Sequence, residues 1–484
     1  MKPGLVMAVA VLIAAFPGSA THDDDGPKAT WPKAQYDIFN SNVNSKAPGR
    51  GTDISTFEVL WEYHWGAAQS APLSVADLDA DGMEEILIVN DKLGDFTPIT
   101  AFSGPLWSYD DYGRTRAYST PASTDVDGDG TLDAVFGLES IGGLYAISGS
   151  GELIWSIPTS GRAQTQPIIF DFNSDGVDEI LFNYYTIQTV NDKALPSING
   201  VLNLANLRGE VFWSYIQGQG TTDYAPVLVD LDADGQMEIV GGRLLLKSKQ
   251  SETCALCWEL GDRTYGTVLY GLGLDFLTPA VDPINPVVTE KELFEYQLEG
   301  LPVRSPMAAD YDGDGEMEVA FATTVPDQWN DTYGGELYVL DNGTLHSYLP
   351  QAPVYWGVAT MDVLGDTRPE IVLGTIEGVE IVGYTNGGFE LLRTFDTDSG
   401  YMISGADFDL DGTLEIVVGS VMPSSDPSID AGRVTVLDLE GTIRYQSPTH
   451  PHGIRHFVVV DVDTDGDLEI VMLSSNGYIF IAGD

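Results

Sequence analysis

DLDADGMEEI, residues 77–86, is the first of eight acidic segments that decide the fold. The other seven read DVDGDGTLDA from Asp125, DFNSDGVDEI from Asp171, DLDADGQMEI from Asp230, DYDGDGEMEV from Asp310, DVLGDTRPEI from Asp362, DFDLDGTLEI from Asp407 and DVDTDGDLEI from Asp461. Their first aspartates are 48, 46, 59, 80, 52, 45 and 54 residues apart. Self-similarity at a period of several tens of residues is typical of propellers and solenoids.

The residues around each segment predict a blade of four antiparallel strands. A short apolar run precedes the acidic residues and a β-branched run follows them, so the segment joins two strands of a hairpin. A third run such as GGLYAIS follows, and a fourth carries Trp107, Trp155 or Trp213 in the first units. We expect these tryptophans to pack between blades. The 80-residue interval is expected to hold an excursion near residues 247–290.

The two ends of the chain complement each other. The terminal GYIFIAGD matches the third strand of the eighth unit, and EVLWEYHW around Trp61 resembles a fourth strand without a unit of its own. Pairing the N-terminal strand with the last blade would remove both open sheet edges. The sequence therefore predicts an all-β, eight-bladed β-propeller with 1+3 ring closure, and seven blades is the alternative.

The first twenty residues predict a secretory signal peptide, because Lys2 precedes an apolar stretch and Gly18-Ser19-Ala20 resembles a cleavage site. Residues 21–56 predict a polar leader, and residues 57–484 a single propeller. No later apolar run is long enough to span a membrane. We therefore expect a secreted protein, whether extracellular, periplasmic or at the cell surface, without membrane insertion.

Each acidic segment has the composition of a calcium loop. Carboxylates at positions 1, 3, 5 and 9, glycine at position 6 and a backbone carbonyl at position 7 would place oxygen ligands around one hard cation, and this crowded set suits Ca²⁺ better than Mg²⁺. EF-hands are excluded, because they need Glu at position 12 and flanking helices. The predicted ligands of seven loops are Asp77, Asp79, Asp81, Met83 and Glu85; Asp125, Asp127, Asp129, Thr131 and Asp133; Asp171, Asn173, Asp175, Val177 and Glu179; Asp230, Asp232, Asp234, Gln236 and Glu238; Asp310, Asp312, Asp314, Glu316 and Glu318; Asp407, Asp409, Asp411, Thr413 and Glu415; and Asp461, Asp463, Asp465, Asp467 and Glu469.

The sixth segment departs from this pattern. Leu364 stands where the second carboxylate belongs, and Thr367 replaces the turn glycine. We therefore expect a metal-free hairpin there and about seven calcium ions per chain.

Charge and cysteine content exclude other classes of protein. The chain has 73 Asp and Glu against 22 Lys and Arg, a net charge of -51, which disfavours nucleic acid and anionic membrane surfaces as partners. Its two cysteines, Cys254 and Cys257, favour a local disulfide over a redox motif in an exported protein. Trp258 rather than His follows them, so covalent haem attachment is not indicated.

The repeated DxDxDGxx[DE] hairpin resembles the FG-GAP, or VCBS-type, repeats of integrin α-chain N-terminal propellers and their secreted bacterial relatives. The resemblance covers about residues 57–484 and implies a calcium-bearing propeller in adhesion or ligand binding. The Phe-Gly and Gly-Ala-Pro signatures of that family are largely absent, and Phe136-Gly137 is a partial match. Some secreted lectins and the rhamnogalacturonan lyases also resemble such a propeller.

Four functional classes remain, and a non-catalytic binding or adhesion module for a carbohydrate or extracellular protein leads, because no catalytic signature is evident. The alternative is a polysaccharide lyase of the rhamnogalacturonan-lyase type, which needs a charge-neutralising group and a general base in one cleft. A quinoprotein dehydrogenase is suggested by LYAISGSGELIWS but lacks an adjacent cysteine pair. A purely structural matrix protein is the fourth class.

The segments that lead into the first strands are unusually rich in Arg, His and aromatic residues for so acidic a chain. They should rim the central channel on the face opposite the calcium loops. Rings that stack on sugars and guanidinium groups that pair with carboxylates suit an acidic glycan. The predicted ligand-binding residues are Arg114, Arg116, Tyr118, Arg162, Tyr224, Arg304, Trp356, Tyr401, His452 and Arg455.

Overall fold

The apolar runs after the acidic segments form strands that are buried on both faces, such as EILIV from Glu85 to Val89 and EIVVGS from Glu415 to Ser420. This burial arises because each sheet lies between two neighbouring sheets. The structure is a computed structural model that describes residues 51, 53–65, 72–89, 95–110, 119–138, 143–163, 165–188, 197–220, 224–247, 264–276, 286–326, 333–422 and 431–484. The predicted signal peptide, residues 1–20, lies outside these ranges.

Eight antiparallel sheets, each built on four main strands, form the blades of a propeller. Blades 1 to 4 consist of β2 (Ser74–Ala76), β3 (Glu85–Val89), β4 (Phe96–Thr100) and β5 (Gly104–Pro105); β6 (Ala122–Thr124), β7 (Asp133–Leu138), β8 (Gly143–Ile147) and β9 (Leu153–Pro158); β10 (Gly161–Arg162), β11 (Ile168–Phe170), β12 (Glu179–Gln188), β13 (Ser197–Asn206) and β14 (Val211–Gln219); and β15 (Val227–Val229), β16 (Glu238–Lys247), β17 (Thr264–Phe276) and β18 (Val288–Glu299).

Blades 5 to 8 follow in the same order around the ring. They consist of β19 (Leu301–Pro302), β20 (Met307–Ala309), β21 (Glu318–Pro326), β22 (Tyr333–Gly334), β23 (Leu337–Asp341) and β24 (Thr344–Tyr348); β25 (Val354–Met361), β26 (Glu370–Thr375), β27 (Gly378–Thr385) and β28 (Gly388–Asp396); β29 (Gly400–Ala406), β30 (Glu415–Ser420), β32 (Val434–Leu437) and β33 (Ile443–Gln446); and β35 (Ile454–Val460), β36 (Glu469–Ser474), β37 (Tyr478–Gly483) and β1 (Glu58–His64). A short pair, β31 (Ala431–Gly432) and β34 (His450–Pro451), lies beside blades 7 and 8.

The N-terminal strand closes the ring, as the sequence predicts. Strand β1 pairs antiparallel with β37, in a register that runs from Glu58 opposite Gly483 to His64 opposite Tyr478. The last blade therefore combines one N-terminal strand with three C-terminal strands. This arrangement confirms eight blades with 1+3 closure and excludes the seven-bladed alternative.

The core also takes in the last residues of the segment predicted as a polar leader. Asp53 caps a 3₁₀ turn, η1 (Ile54–Thr56), and Ile54 is fully buried. Phe57 packs edge-on against Phe408 at 5.8 Å and Tyr445 at 5.5 Å between ring centres, in the apolar cluster that blades 7 and 8 share. The residues before β1 thus hold the closing strand to blade 7. In the described ranges no helix could cross a membrane.

Tryptophans of the fourth strands join consecutive blades. The indole N–H of Trp107 donates to the carbonyl of Gly149, and that of Trp155 to the carbonyl of Leu207, both at 2.8 Å. Both carbonyls belong to the turn between the third and fourth strands of the next blade. A Cβ on Gly151 would lie 2.9 Å from the Trp107 ring, so a glycine is required where the ring packs. Packing between blades is therefore the role of these rings.

The long interval after Asp230 contains ordinary strands of blade 4. Strand β17 has 13 residues and β18 has 12, and both belong to that blade's sheet. Part of the interval expected to form an excursion is therefore its third strand. Residues 248–263 and 277–285, with Cys254 and Cys257, lie outside the described residues.

Deleting residues 21–66 should give an aggregating protein, because the deletion removes β1 and exposes the edge of β37. Deleting residues 21–45 should be tolerated, because Ile54, Phe57 and β1 remain. Size-exclusion chromatography and thermal melting would check both. A monomeric, cooperatively melting product of the longer deletion would contradict the closure scheme.

Candidate metal centres and the opposite face

All eight acidic segments occupy the same place in their blades, between the first and second strands. The acid at position 9 is the first residue of the second strand in every case. Each of these eight acids is buried, with at most 6% of its surface exposed. Because the blades repeat around one axis, the eight segments lie on one face of the ring.

The buried acid receives a hydrogen bond from the start of its own loop. In the first loop the amide of Leu78 donates to Glu85 Oε2 at 2.9 Å. The corresponding bond is present in the other seven loops at 2.7–3.0 Å. The apolar residue at position 2 packs inward, as the fully buried Phe408 shows. The residue at position 2 thus has two roles: its side chain packs in the core, and its amide holds the carboxylate of position 9.

The aspartate at position 1 organises the rest of the loop. Asp77 Oδ1 accepts from the amide of Asp81 at 3.1 Å, and Oδ2 accepts from the amide of Gly82 at 3.0 Å. The bond from position 6 to position 1 recurs in all eight loops. Each loop also bends twice through the left-handed region, with positive φ at positions 4 and 6. The positive φ at position 6 was predicted from its glycine, whereas the positive φ at position 4 was not predicted.

Position 4 is strained where it is not glycine. Ala80, Ser174, Ala233, Leu410 and Thr464 hold φ between 57° and 59°. Such a conformation costs roughly 1 kcal/mol or more for a residue with a Cβ, so other interactions of the loop must offset this strain. In the other three loops this position is a glycine (Gly128, Gly313 and Gly365), and these glycines could have indicated a positive φ there.

The loops bring carboxylate oxygens together in clusters that fit a cation. The oxygens of Asp77, Asp79 and Glu85 all lie within 4.8 Å of one another. The same holds for Asp125, Asp127 and Asp133; Asp230, Asp232 and Asp234; Asp310, Asp312 and Glu318; and Asp407, Asp409 and Glu415. Donor sets made only of oxygen suit Ca²⁺. The carboxylate at position 5 also accepts the amide of position 7, as Asp81 does from Met83 at 2.8 Å.

The third loop differs in one ligand. Asn173 donates its amide nitrogen to Glu179 Oε1 at 2.7 Å, and its Oδ1 accepts from the amide of Asp175 at 2.9 Å. An amide carries no charge, so this loop holds one carboxylate fewer than the first loop. A cation would be bound there by Asp171, Asp175 and Glu179 together with the Asn173 oxygen.

Burial raises the pKa of the position 9 acids. The pKa reaches about 7 for Glu85 and about 8 for Glu179, and desolvation is the largest cause in both. Neighbouring aspartates add to the rise, while the amide of position 2 opposes it. A proton or a cation therefore stabilises each buried carboxylate.

The sixth loop lacks an oxygen at position 3. Leu364 stands there with 45% of its surface exposed. Arg368, at position 7, forms an ion pair with Asp366 at 2.6 Å. The donor set therefore does not fit a cation.

On the opposite face, the predicted ligand-binding residue Arg304 contacts two others, Trp356 and Tyr401. Arg304 of blade 5 donates through Nε to the carbonyl of Trp356 at 3.0 Å and through Nη2 to the carbonyl of Tyr401 at 3.4 Å. Its guanidinium lies 5.8 Å from the centre of the Tyr401 ring. Tyr355 packs edge-on against Tyr401 at 5.7 Å. Arg304 thus braces blades 6 and 7; Tyr355 is buried, whereas Trp356 and Tyr401 are half-buried.

The other predicted residues of this face do not join that cluster in the described contacts. Arg162 bonds to the Tyr185 hydroxyl at 3.1 Å within blade 3. Tyr224 is half-buried, and His452 has a φ of 73° and accepts a bond from Ser475 through its carbonyl. Arg114, Arg116 and Tyr118 lie outside the described residues, and of Arg455 only the backbone, in β35, is described.

Solved structures with similar folds are known. A quinohemoprotein alcohol dehydrogenase from Pseudomonas putida matches with a TM-score of 0.58 at 9% identity, over 94% of this chain and 80% of its own. The V. cholerae biofilm matrix protein Bap1 matches with a TM-score of 0.40 at 14% identity, over 88% of this chain and 90% of its own. BBS1N in complex with ARL6DN matches with a TM-score of 0.41 at 9% identity, over 90% of this chain and 97% of its own. No protein-family model and no curated protein sequence matches the chain. The first likeness shows the propeller fold alone.

Lowering the pH should stabilise the metal-free protein, because burial raises the pKa of these acids to about 6 for Asp133 and about 7 to 8 for Glu85 and Glu179, from unfolded values of 3.8 for Asp and 4.5 for Glu. At a pH between the unfolded and the folded pKa values, the folded chain keeps protons on these acids that the unfolded chain releases. The melting temperature in EDTA should therefore be higher at about pH 5.5 than at about pH 8.5, and added calcium should raise it more at the higher pH. A metal-free protein that melts lower at about pH 5.5 would contradict this assignment.

Proposed function

We propose that the chain is a secreted, calcium-stabilised propeller that binds an acidic polysaccharide without cleaving it. The observation that carries the calcium part is the set of carboxylate clusters, each with oxygens within 4.8 Å of one another. At that separation two charges repel by about 1 to 3 kcal/mol for effective dielectric constants between about 80 and 20. A divalent cation turns this repulsion into attraction.

Asp and Glu at positions 1, 3 and 9 would hold the ion from three sides, and the carbonyl at position 7 would complete the shell. The ion supplies positive charge that the loop sequence lacks. It also accounts for the strained position 4, because a loop wrapped around an ion is held from its centre. The kinship with FG-GAP or VCBS repeats rests on this loop.

The polysaccharide part rests on the opposite face. The half-buried Tyr401 ring lies 5.8 Å from the Arg304 guanidinium, and the half-buried Trp356 accepts a hydrogen bond from Arg304 through its backbone carbonyl. Both residues are on the face that carries none of the eight acidic loops. Aromatic faces stack on sugar rings, and arginine favours carboxylates. Export through the predicted signal peptide would bring the protein into contact with extracellular glycans and into millimolar calcium.

Removing calcium should destabilise the protein. Sites with dissociation constants of about 0.1 to 1 mM, in about 1 mM calcium, contribute roughly 0.4 to 1.4 kcal/mol each, or about 3 to 10 kcal/mol for seven. Differential scanning calorimetry should show a fall in melting temperature of several degrees in EDTA that excess calcium reverses. An unchanged melting temperature would contradict the proposal.

Replacing Trp356 with Leu should weaken retention on immobilised polygalacturonate about tenfold, the order expected for losing one stacked ring. Phe389→Leu is the matched control, because Phe389 is a half-buried ring on the outer strand of the same blade. The control should bind as the unaltered protein does. Equal binding by both variants would reject this face. Unsaturated, ultraviolet-absorbing products would identify a polysaccharide lyase instead.

A further inference from the structure

The sixth loop keeps the fold of the other loops although it has lost a ligand. Asp362 accepts from the amide of Asp366 at 3.1 Å and from the amide of Thr367 at 2.8 Å. Glu370 accepts from the amide of Val363 at 3.0 Å. These are the bonds that shape the first loop around Asp77 and Glu85.

Two features of this loop call for a stabilising group of its own. Thr367 has a φ of 75° at the position where the other seven loops have glycine, and a β-branched residue is strained there. Asp362, Asp366 and Glu370 still bring three acids into one short loop. Leu364 offers no oxygen, so a cation would lack a ligand at position 3.

Arg368 is the one basic residue in the eight acidic segments. Its Nη2 lies 2.6 Å from Asp366 Oδ2, and its backbone amide donates to Asp366 Oδ1 at 3.0 Å. Both oxygens of the position 5 carboxylate are therefore bonded to Arg368. A guanidinium keeps its charge at any pH that the protein tolerates.

The Arg368 side chain is also held at its base by the fifth loop. A Cβ on Gly313 would lie 2.8 Å from Cδ of Arg368, so the arginine stem packs on the bare backbone of Gly313. The neighbouring Asp312 Oδ2 accepts from the amide of Asn386 of blade 6 at 3.3 Å. Packing on a neighbouring blade limits the side chain to the vicinity of Asp366.

We propose that Arg368 supplies in the sixth loop the positive charge that a calcium ion supplies in the other seven, so that this loop keeps its fold without metal. The proposal rests on the proposed function in one respect, that the other loops bind calcium. It gives the ring one hairpin whose order does not depend on the calcium concentration. Blade 6 would then remain ordered in a calcium-poor medium while the other hairpins loosen.

Residue-resolved hydrogen exchange tests this assignment, with the seventh loop as an internal comparison. EDTA should speed exchange at the amides of Asp411 and Gly412 and leave the amides of Asp366 and Thr367 unchanged. In Arg368→Met, which keeps the stem on Gly313 and removes the charge, the sixth-loop amides should exchange at least about twofold faster with or without calcium.

Faster exchange of the Asp366 and Thr367 amides of the unaltered protein in EDTA would overturn the proposal, because the loop would then bind calcium. Unchanged exchange in Arg368→Met would also overturn it. If EDTA leaves the exchange rates of the Asp411 and Gly412 amides unchanged, the proposal that the seventh loop binds calcium is wrong. The exchange rates in Arg368→Met still decide the role of the arginine in the sixth loop.

A second variant tests the donor set. Leu364→Asp, Thr367→Gly and Arg368→Thr together give the sequence DVDGDGT at 362–368, which is that of residues 125–131. Equilibrium dialysis should find one more calcium ion per chain than in the unaltered protein. Arg368→Thr alone should leave the stoichiometry unchanged, because position 3 still lacks an oxygen. The proposal would be contradicted if the triple variant bound no additional calcium ion, or if Arg368→Thr alone bound one.

Discussion

The buried acid at the start of each second strand is the constraint on which the ring depends. Glu85 and Asp133 are fully buried, yet each must begin a strand that packs between two blades. Each carboxylate accepts a bond from the amide of position 2, and Glu85 and Asp133 accept one more each, from Thr100 and Gly149. A proton or a cation would stabilise the buried charge further. The same geometry in eight blades explains why the loops share one fold, and the sixth loop keeps this fold with Arg368 paired to Asp366.

Repetition then divides the molecule into two unlike faces. Because every acidic segment joins the first and second strands, all eight lie at the same end of the blades. The segments that lead into the first strands lie at the other end, where Arg304 links the backbones of Trp356 and Tyr401 across blades 5 to 7. A chain with a net charge of -51 thus places its arginine and aromatic cluster on the face opposite its eight acidic segments.

The sequence predicted the features that local patterns encode and missed those that depend on contacts between residues far apart in the chain. The spacing of the acidic segments predicted the blades, and the strand around Trp61 predicted the closure, because both are written in local patterns. The burial of Ile54, in the predicted leader, was missed because it lies in a core cluster with residues more than 350 positions away, such as Phe408 and Tyr445. Arg304 bonds to a carbonyl 97 residues later, so its bracing role was equally invisible. The left-handed conformation at position 4 was not evident because four residue types besides glycine (Ala, Ser, Leu and Thr) occupy that position.

Anomalous diffraction from crystals grown in calcium would locate the bound ions in the acidic loops. We expect anomalous peaks in seven loops, each among the side-chain oxygens of positions 1, 3, 5 and 9, and no peak in the sixth loop, where Arg368 pairs with Asp366. Well-ordered loops without peaks at saturating calcium would contradict this expectation.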